Sequence, residues 1–203
     1  MKQAITIEKI EITKDALIIA NGDSYHVHLS YFANNPLHEG QVLDSEEFAD
    51  YIFEGRLFKC QLDLTKALSR KDMTIKEAYN YLVKHSYPKD IVNKVINIYK
   101  DKGILDDERY IQEYLKKSIR RNMGLVRCVY ELEQKGFKSS EIEKYLSPRL
   151  REEEERKALA LAQKTYRLKG NYRNVYYKLS YAGYDEELIQ KVLREIGCDI
   201  QES

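Results

Sequence analysis

Three segments of this chain can be laid over one another, and that repetition restricts the possible folds more than any other feature. Leu82, Leu132 and Leu179 each stand five residues before an aromatic: Tyr87, Phe137 and Tyr184. Five residues after each aromatic comes Val92, Ile142 or Ile189, and nine after it Ile96, Leu146 or Leu193. Tyr79, Val129 and Tyr176 stand eight residues before it, and the copies are 50 and then 47 residues apart. The i, i+3 and i, i+4 spacings on either side place each set on one helix face, with the aromatic at the corner between two helices. Gly136 and Gly183 precede the aromatic, where a helix ends in the left-handed conformation. Ser86 takes that place in the first copy, so a slightly different corner is expected there. Apolar segments at Leu64 to Leu68, Tyr110 to Ile119 and Ala158 to Tyr166 supply a third helix to each copy. The expectation is a mostly α protein of three tandem three-helix repeats, over residues 59–107, 108–150 and 151–203, forming an elongated curved array.

Residues 1–58 read as a β-rich extension with a short helix. Ile5 and Ile7, then Ile10 and Ile12, alternate with polar residues, and Tyr25, Val27 and Leu29 do so again. Asn21-Gly22 suits the two positive φ angles of a tight hairpin turn. Pro36 and Gly40 mark a loop. Asp44 or Ser45 then caps a short amphipathic helix carrying Phe48 and Ile52.

The chain offers little catalytic chemistry. It has neither a phosphate-binding glycine loop nor a nucleophile elbow. His26 and His28, two apart on an expected strand, face one side, but no third metal ligand accompanies them. Asp106-Asp107-Glu108 could serve a metal-dependent nuclease, but its place before an apolar helix fits a helix cap better. The run Glu152–Glu155 reads as a solvated first turn. Cys60, Cys128 and Cys198 lie far apart and are odd in number, as expected of free thiols in a reducing cytoplasm. No apolar run reaches the roughly 18 residues of a membrane span. A soluble, non-enzymatic protein without cofactor or metal is expected.

Charge is unevenly spread. Residues 1–55 hold 3 Lys/Arg against 10 Asp/Glu, whereas residues 56–150 hold 21 against 13. Two stretches lack acids altogether. Tyr114 to Tyr130 carries Lys116, Lys117, Arg120, Arg121 and Arg127. Arg156 to Tyr184 carries seven Lys/Arg, among them Arg167, Lys169, Arg173 and Lys178, with six tyrosines. Cations interleaved with tyrosines can neutralise phosphates and stack on bases. These nine cations are the candidate partner- and DNA-contacting residues.

Four segments, in order, resemble the RecX family of recombination regulators. Lys102-Gly103-Ile104-Leu105-Asp106-Asp107-Glu108-Arg109-Tyr110 is similar to the family's central signature. Gly124 followed by Glu131-Leu132-Glu133-Gln134-Lys135-Gly136-Phe137 resembles a second element, Leu68-Ser69-Arg70-Lys71 the opening one, and Ala182-Gly183-Tyr184 the closing one. The match covers about residues 62–196, and the β-rich start resembles the extension on family members from Gram-positive bacteria. Ala182 stands where a basic residue is usual, and Lys71 where an arginine is. The resemblance implies a protein that binds RecA filaments, contacts single- and double-stranded DNA weakly, and mostly inhibits recombinase, ATPase and coprotease activity in DNA repair. It implies no cofactor, and a monomer is expected. A helical DNA-binding transcription regulator is the alternative.

Overall fold

The computed structural model describes residues 4–197. Four strands come first: β1 (Ala4–Ile12), β2 (Ala16–Ala20), β3 (Asp23–Val27) and, after helix α1 (Leu29–Asn34), β4 (Val42–Asp44). They form one antiparallel sheet in the order β3-β2-β1-β4. Asn21 and Gly22, with φ of 49° and 81°, make the expected hairpin turn between β2 and β3. A bulge in β1 between Ile7 and Lys9 explains why the apolar parity changes from Ile5 and Ile7 to Ile10. Past the bulge, Ile10 pairs with Ile18 and returns to the inner face.

Three sequence readings of this region are corrected. The strand ends at Val27, so His28 does not share a strand face with His26; its Nδ1 instead caps α1 by accepting the Ser30 N–H at 3.2 Å. The short strand β4 was not expected, because three residues carry too little alternation to read. The helix capped by Asp44 is long: α2 runs from Ser45 to Leu68. Asp44 and Glu47 form a reciprocal capping box at its start.

Two apolar cores flank this one helix. Phe48 and Ile52 pack on the sheet with Ile7, Ile18 and Val27. Leu57, Cys60 and Leu64 enter a second core with α3 (Ile75–Lys84) and α4 (Lys89–Asp101). Between the two lies buried Gly55, where a Cβ would stand 3.0 Å from Val27 and 3.3 Å from Tyr31. Glycine in a helix interior costs about 0.5–1 kcal/mol in backbone entropy. Here it lets α2 lie directly against β3 and α1. Tyr99 Oη donates to the Gln61 carbonyl at 2.9 Å, which binds α4 to α2. Residues 1–105 form one compact unit.

Residues 106–203 form the second unit, whose described part ends at 197. It contains α5 (Asp107–Arg120), α6 (Leu125–Gln134) and α7 (Ser139–Ile142), the last continued by a 3-10 turn over Glu143–Tyr145. Then come α8 (Pro148–Lys169), α9 (Tyr172–Ala182) and α10 (Glu186–Glu195). One core lies among α5, α6 and α7, around Leu115, Ile119, Leu132 and Ile142. The other lies among α8, α9 and α10, around Ala162, Leu179 and Ile189. The protein is thus mostly helical behind a small antiparallel sheet. No helix among the described residues is long and apolar enough to cross a membrane.

The repeat has a backbone cause. Tyr87, Phe137 and Tyr184 each donate their N–H, at 3.3 Å, to the carbonyl of Leu82, Leu132 and Leu179 respectively. The residue before each aromatic has positive φ: 61° at Ser86, 101° at Gly136 and 85° at Gly183. Its own N–H bonds to Val83, Glu133 or Ser180. This is one helix stop used three times, with a left-handed residue and an apolar residue folded back over the last turn. Ser86 therefore makes the same corner as the glycines, not a different one. A non-glycine residue pays about 1–2 kcal/mol for that conformation. Cys60 and Cys128 are buried and unpaired, and burial pushes both thiols up to about 12. Cys198 lies outside the described residues.

Two substitutions check this account. Ser86→Gly is expected to stabilise the protein by up to about 1 kcal/mol, since it relieves the left-handed strain. Leu132→Ala, at a fully buried position, should cost about 2–5 kcal/mol. Urea unfolding followed by circular dichroism measures both. A destabilised Ser86→Gly protein would contradict the assigned corner.

Candidate functional site

In the second unit, the N-terminus of α6 meets the C-terminus of α9. Gly124, the N-cap of α6, donates its N–H to the Ala182 carbonyl at 2.9 Å. Arg127 N–H reaches the Gly183 carbonyl at 3.4 Å. The backbones are so close that a Cβ on Gly124 would stand 2.1 Å from the Gly183 oxygen. A Cβ on Gly183 would stand 2.2 Å from that of Arg127. No larger residue fits at either glycine without separating the helices.

A carboxylate completes this junction. Gly124 has no side chain to cap α6, and Glu154 of α8 takes over by accepting the Leu125 N–H at 2.6 Å. Glu154 is only 4% exposed, so the reading of Glu152–Glu155 as a solvated turn is corrected at this residue. The reason is positional: Leu150, Glu154, Ala158 and Ala162 form the buried i, i+4 stripe of α8. Burial raises the Glu154 pKa, the Leu125 N–H opposes that shift, and nearby Asp185 adds to it. The Tyr184 hydroxyl is buried in the same region and makes no hydrogen bond.

The nine candidate cations are all exposed. Lys116, Lys117 and Arg120 lie on α5, with Arg121 at its C-cap, on the side away from buried Leu115 and Ile119. Lys116 pairs with Glu113 at 3.2 Å. Arg127 Nε donates to Glu131 at 2.8 Å, and Glu131 also accepts the Tyr114 hydroxyl. These two bonds, Tyr114 first, hold the Glu131 carboxyl below its usual range. The Tyr114–Glu131 bond thus joins α5 to α6, and Arg127 holds Glu131 from within α6. Arg167 and Lys169 end α8, and Arg173 begins α9 beyond left-handed Gly170. The structure brings these last three into one corner, with Lys178 farther along α9.

Tyrosines define the outer side of α9. Arg173, Tyr177 and Tyr181 follow one another at i, i+4 and i+8, along a single stripe. Tyr177 is 56% and Tyr181 80% exposed, and the Arg173 guanidinium lies 5.8 Å from the Tyr177 ring centre. On α6, Val126 and Tyr130 are exposed at i, i+4. An exposed tyrosine stripe flanked by cations offers stacking faces and charge together. The remaining tyrosines of the acid-free stretch are used otherwise. Tyr166 stacks on Tyr172 at 4.5 Å, Tyr176 Oη bonds Glu186 at 3.0 Å, and Tyr184 is buried.

Asp106, once a candidate metal ligand, caps α5 by accepting the Arg109 N–H at 2.9 Å. Among the described residues, no group of three or more His, Cys, Asp or Glu is placed to hold a metal ion. Neither Glu154 nor the glycine approach was read from the sequence. The i, i+4 spacing of Leu150, Glu154 and Ala158 carried a signal for the first, and nothing local marks the second.

Solved and curated proteins resemble this chain along most of its length. A crystal structure of a regulatory protein RecX superposes with a TM-score of 0.64 at 21% identity, covering 94% of this chain and 99% of that one. The crystal structure of RecX from Lactobacillus salivarius gives 0.60 at 20% identity, over 70% of this chain and 96% of that one. The regulatory protein RecX of Clostridium perfringens strain 13 is 21% identical over 201 residues, spanning 95% of this chain and 94% of its own length. That of Clostridium botulinum strain Alaska E43 is 28% identical over 164 residues, with shares of 75% and 76%. No family model matches the chain.

The buried carboxyl makes stability depend on pH with a defined sign. A carboxyl whose pKa is raised by folding binds more protons folded than unfolded, so its contribution strengthens as pH falls through the folded pKa toward the ordinary carboxylate value of about 4–5. Glu154→Gln keeps the acceptor for Leu125 N–H and removes the charge. It is expected to flatten this part of the profile and to be at least as stable as the parent at pH 7. Denaturant midpoints across that range measure it, and an unchanged slope would count against a buried, raised Glu154.

Proposed function

The chain belongs to the RecX family of regulatory proteins, and from that premise we propose that it binds RecA filaments on DNA and restrains them. The observation that carries the DNA part of this reading is the exposed Arg173–Tyr177–Tyr181 stripe of α9, with Arg167 and Lys169 at its entrance. Cations there would meet phosphates, and the tyrosine faces would stack on unpaired bases. The α5 band of Lys116, Lys117, Arg120 and Arg121 is a second cationic surface, for DNA or for an acidic face of RecA. We take residues 59–107, 108–150 and 151–203 as three contact modules. Several weak contacts on one filament add avidity without any single strong one. Growth of the filament would stop, and its ATPase, strand-exchange and coprotease activities would fall with it.

An enzymatic reading has little support, since the relatives are named as regulatory proteins and Asp106 is spent on capping α5. The transcription-regulator alternative requires recognition helices. The second copy offers only a four-residue α7 there, too short to lay a reading face along a major groove, so α4 or α10 would have to serve.

The decisive test is RecA ATPase activity on single-stranded DNA, with this protein titrated in. Progressive inhibition below one molecule per RecA is expected. No effect at any ratio, with the protein shown to be folded, would overturn the proposal and favour the DNA-binding regulator.

A separate measurement addresses the DNA surface. Tyr177→Ala and Tyr181→Ala should each cost about 1–3 kcal/mol of affinity for a single-stranded oligonucleotide. Arg173→Gln should lower the salt slope of binding by about 0.7 if it contacts one phosphate. Unchanged affinity and slope in all three variants would remove α9 from the DNA contact.

A further inference from the structure

The first unit holds a cleft that the function above does not use. It measures about 500 Å³ and lies among β3, α2 and the α3–α4 corner. We propose that this cleft binds the phosphate group of a nucleotide-sized ligand. Small-molecule sites have volumes of about 300–1,000 Å³, so a nucleotide fits.

Its lining carries two cations, Arg56 and Lys59, against one carboxylate, Asp63. Arg56 and Lys59, three residues apart, project from one face of α2. His26 comes from β3 and His85 from the corner, so two imidazoles from other elements add hydrogen-bonding groups beside the two α2 cations. Gly55 is what brings them together, because its missing side chain lets α2 lie against β3 one residue before Arg56. Among the described residues no carboxylate pairs with Arg56. Lys59 stands 3.9 Å from Asp15, at the outer limit of an ion pair, and both are solvent-exposed in part. Such a contact contributes about 0–1 kcal/mol and is readily exchanged for a better partner.

The one acid in the lining, Asp63, keeps its charge but is turned to the wall by a hydrogen bond. Asp63 accepts the Tyr87 hydroxyl at 2.6 Å, which fixes both against the wall. His85 is held at the rim by its Nδ1, 2.7 Å from the Tyr81 carbonyl, and by its ring, 4.1 Å from that of Tyr81. Ser86, turned by its positive φ, adds a hydroxyl. Next to it α4 begins at Pro88 without a side-chain cap, so the positive end of that helix also borders the cleft. Two cations free to turn inward, a hydroxyl and a helix start suit a compact, multiply charged oxyanion, which phosphate is. The ligand is either a free nucleotide or a phosphate of a nucleic-acid strand.

The test is an NMR titration of the full chain, following backbone amides, with three probes: inorganic phosphate, a nucleoside 5′-monophosphate and a short oligothymidylate. Shifts are expected at Ser86, Tyr87 and Lys89. Arg56→Gln and Lys59→Gln should each weaken binding about tenfold, the loss of one charge-assisted hydrogen bond. Both residues are exposed, so the variants should keep the parent's thermal midpoint. Tighter binding of the monophosphate than of the oligonucleotide assigns the site to a free nucleotide. Tighter binding of the oligonucleotide, falling steeply with salt, assigns it to a strand phosphate. No shift at those amides with any probe, or affinity unaltered in the double variant, overturns the site. RecA inhibition is read separately and is expected to survive Arg56→Gln.

Discussion

The helical part of this protein depends on a backbone hydrogen bond that returns from an aromatic N–H to a leucine carbonyl five residues earlier. It forms only if the intervening residue turns left-handed. Once formed, it aims the next helix back along the previous one, so that residues five and nine after the aromatic face the leucine. Related stops recur at Gly103 and Asn122, both with positive φ. At Gly103 the stop is followed by buried Leu105 and then by the cap Asp106, so one five-residue stretch ends α4 and starts α5. Apart from α2 and α8, the chain makes do with short helices. Isolated helices of this length are marginal in water and persist only through the faces that such corners bring together.

The junction of α6, α8 and α9 shows what that economy costs. Two backbones touch at Gly124 and Gly183, and the close approach leaves the start of α6 without a side chain of its own to cap it. A buried carboxylate from a third helix supplies the acceptor. Burying a charge is expensive unless it is paired. Glu154 meets this with one short bond to a backbone donor at the positive end of a helix, and with a pKa raised by burial. The second and third cores are therefore coupled through one ionisable group.

Much of this was legible in the residues. The spacing of Leu82, Leu132 and Leu179 from their aromatics reports the corner because the corner is local. Asn21-Gly22 and Asp44 were readable for the same reason: a turn or a cap is chosen by its own side chains. What failed was non-local or continuous. α2 read as short because its buried stripe changes partner from the sheet to the helices at Gly55, which breaks the apparent period. Ser86 read as a departure because its left-handed backbone is imposed by the helices on either side and not by its own preference. Glu154 was hidden among four glutamates, three of which do meet solvent in whole or in part. The cations were legible as exposed, but the bond from Tyr114 to Arg127's partner Glu131 was not, since Tyr114 comes from another helix.

These constraints meet in α9. Its inner side, Val175 and Leu179, is core, and its last carbonyls accept the amides of α6. Both ends are fixed by left-handed glycines, Gly170 and Gly183. A helix held on its inner side and at both ends cannot roll to bury an outward tyrosine. Tyr177 and Tyr181 are thus kept exposed at a cost in apolar hydration of roughly 25 cal/mol for each Å² left in water. Rigid presentation also lowers the entropy lost when a base stacks on such a ring. The same packing that makes the third repeat stable is what gives its tyrosine stripe a fixed geometry to offer a partner.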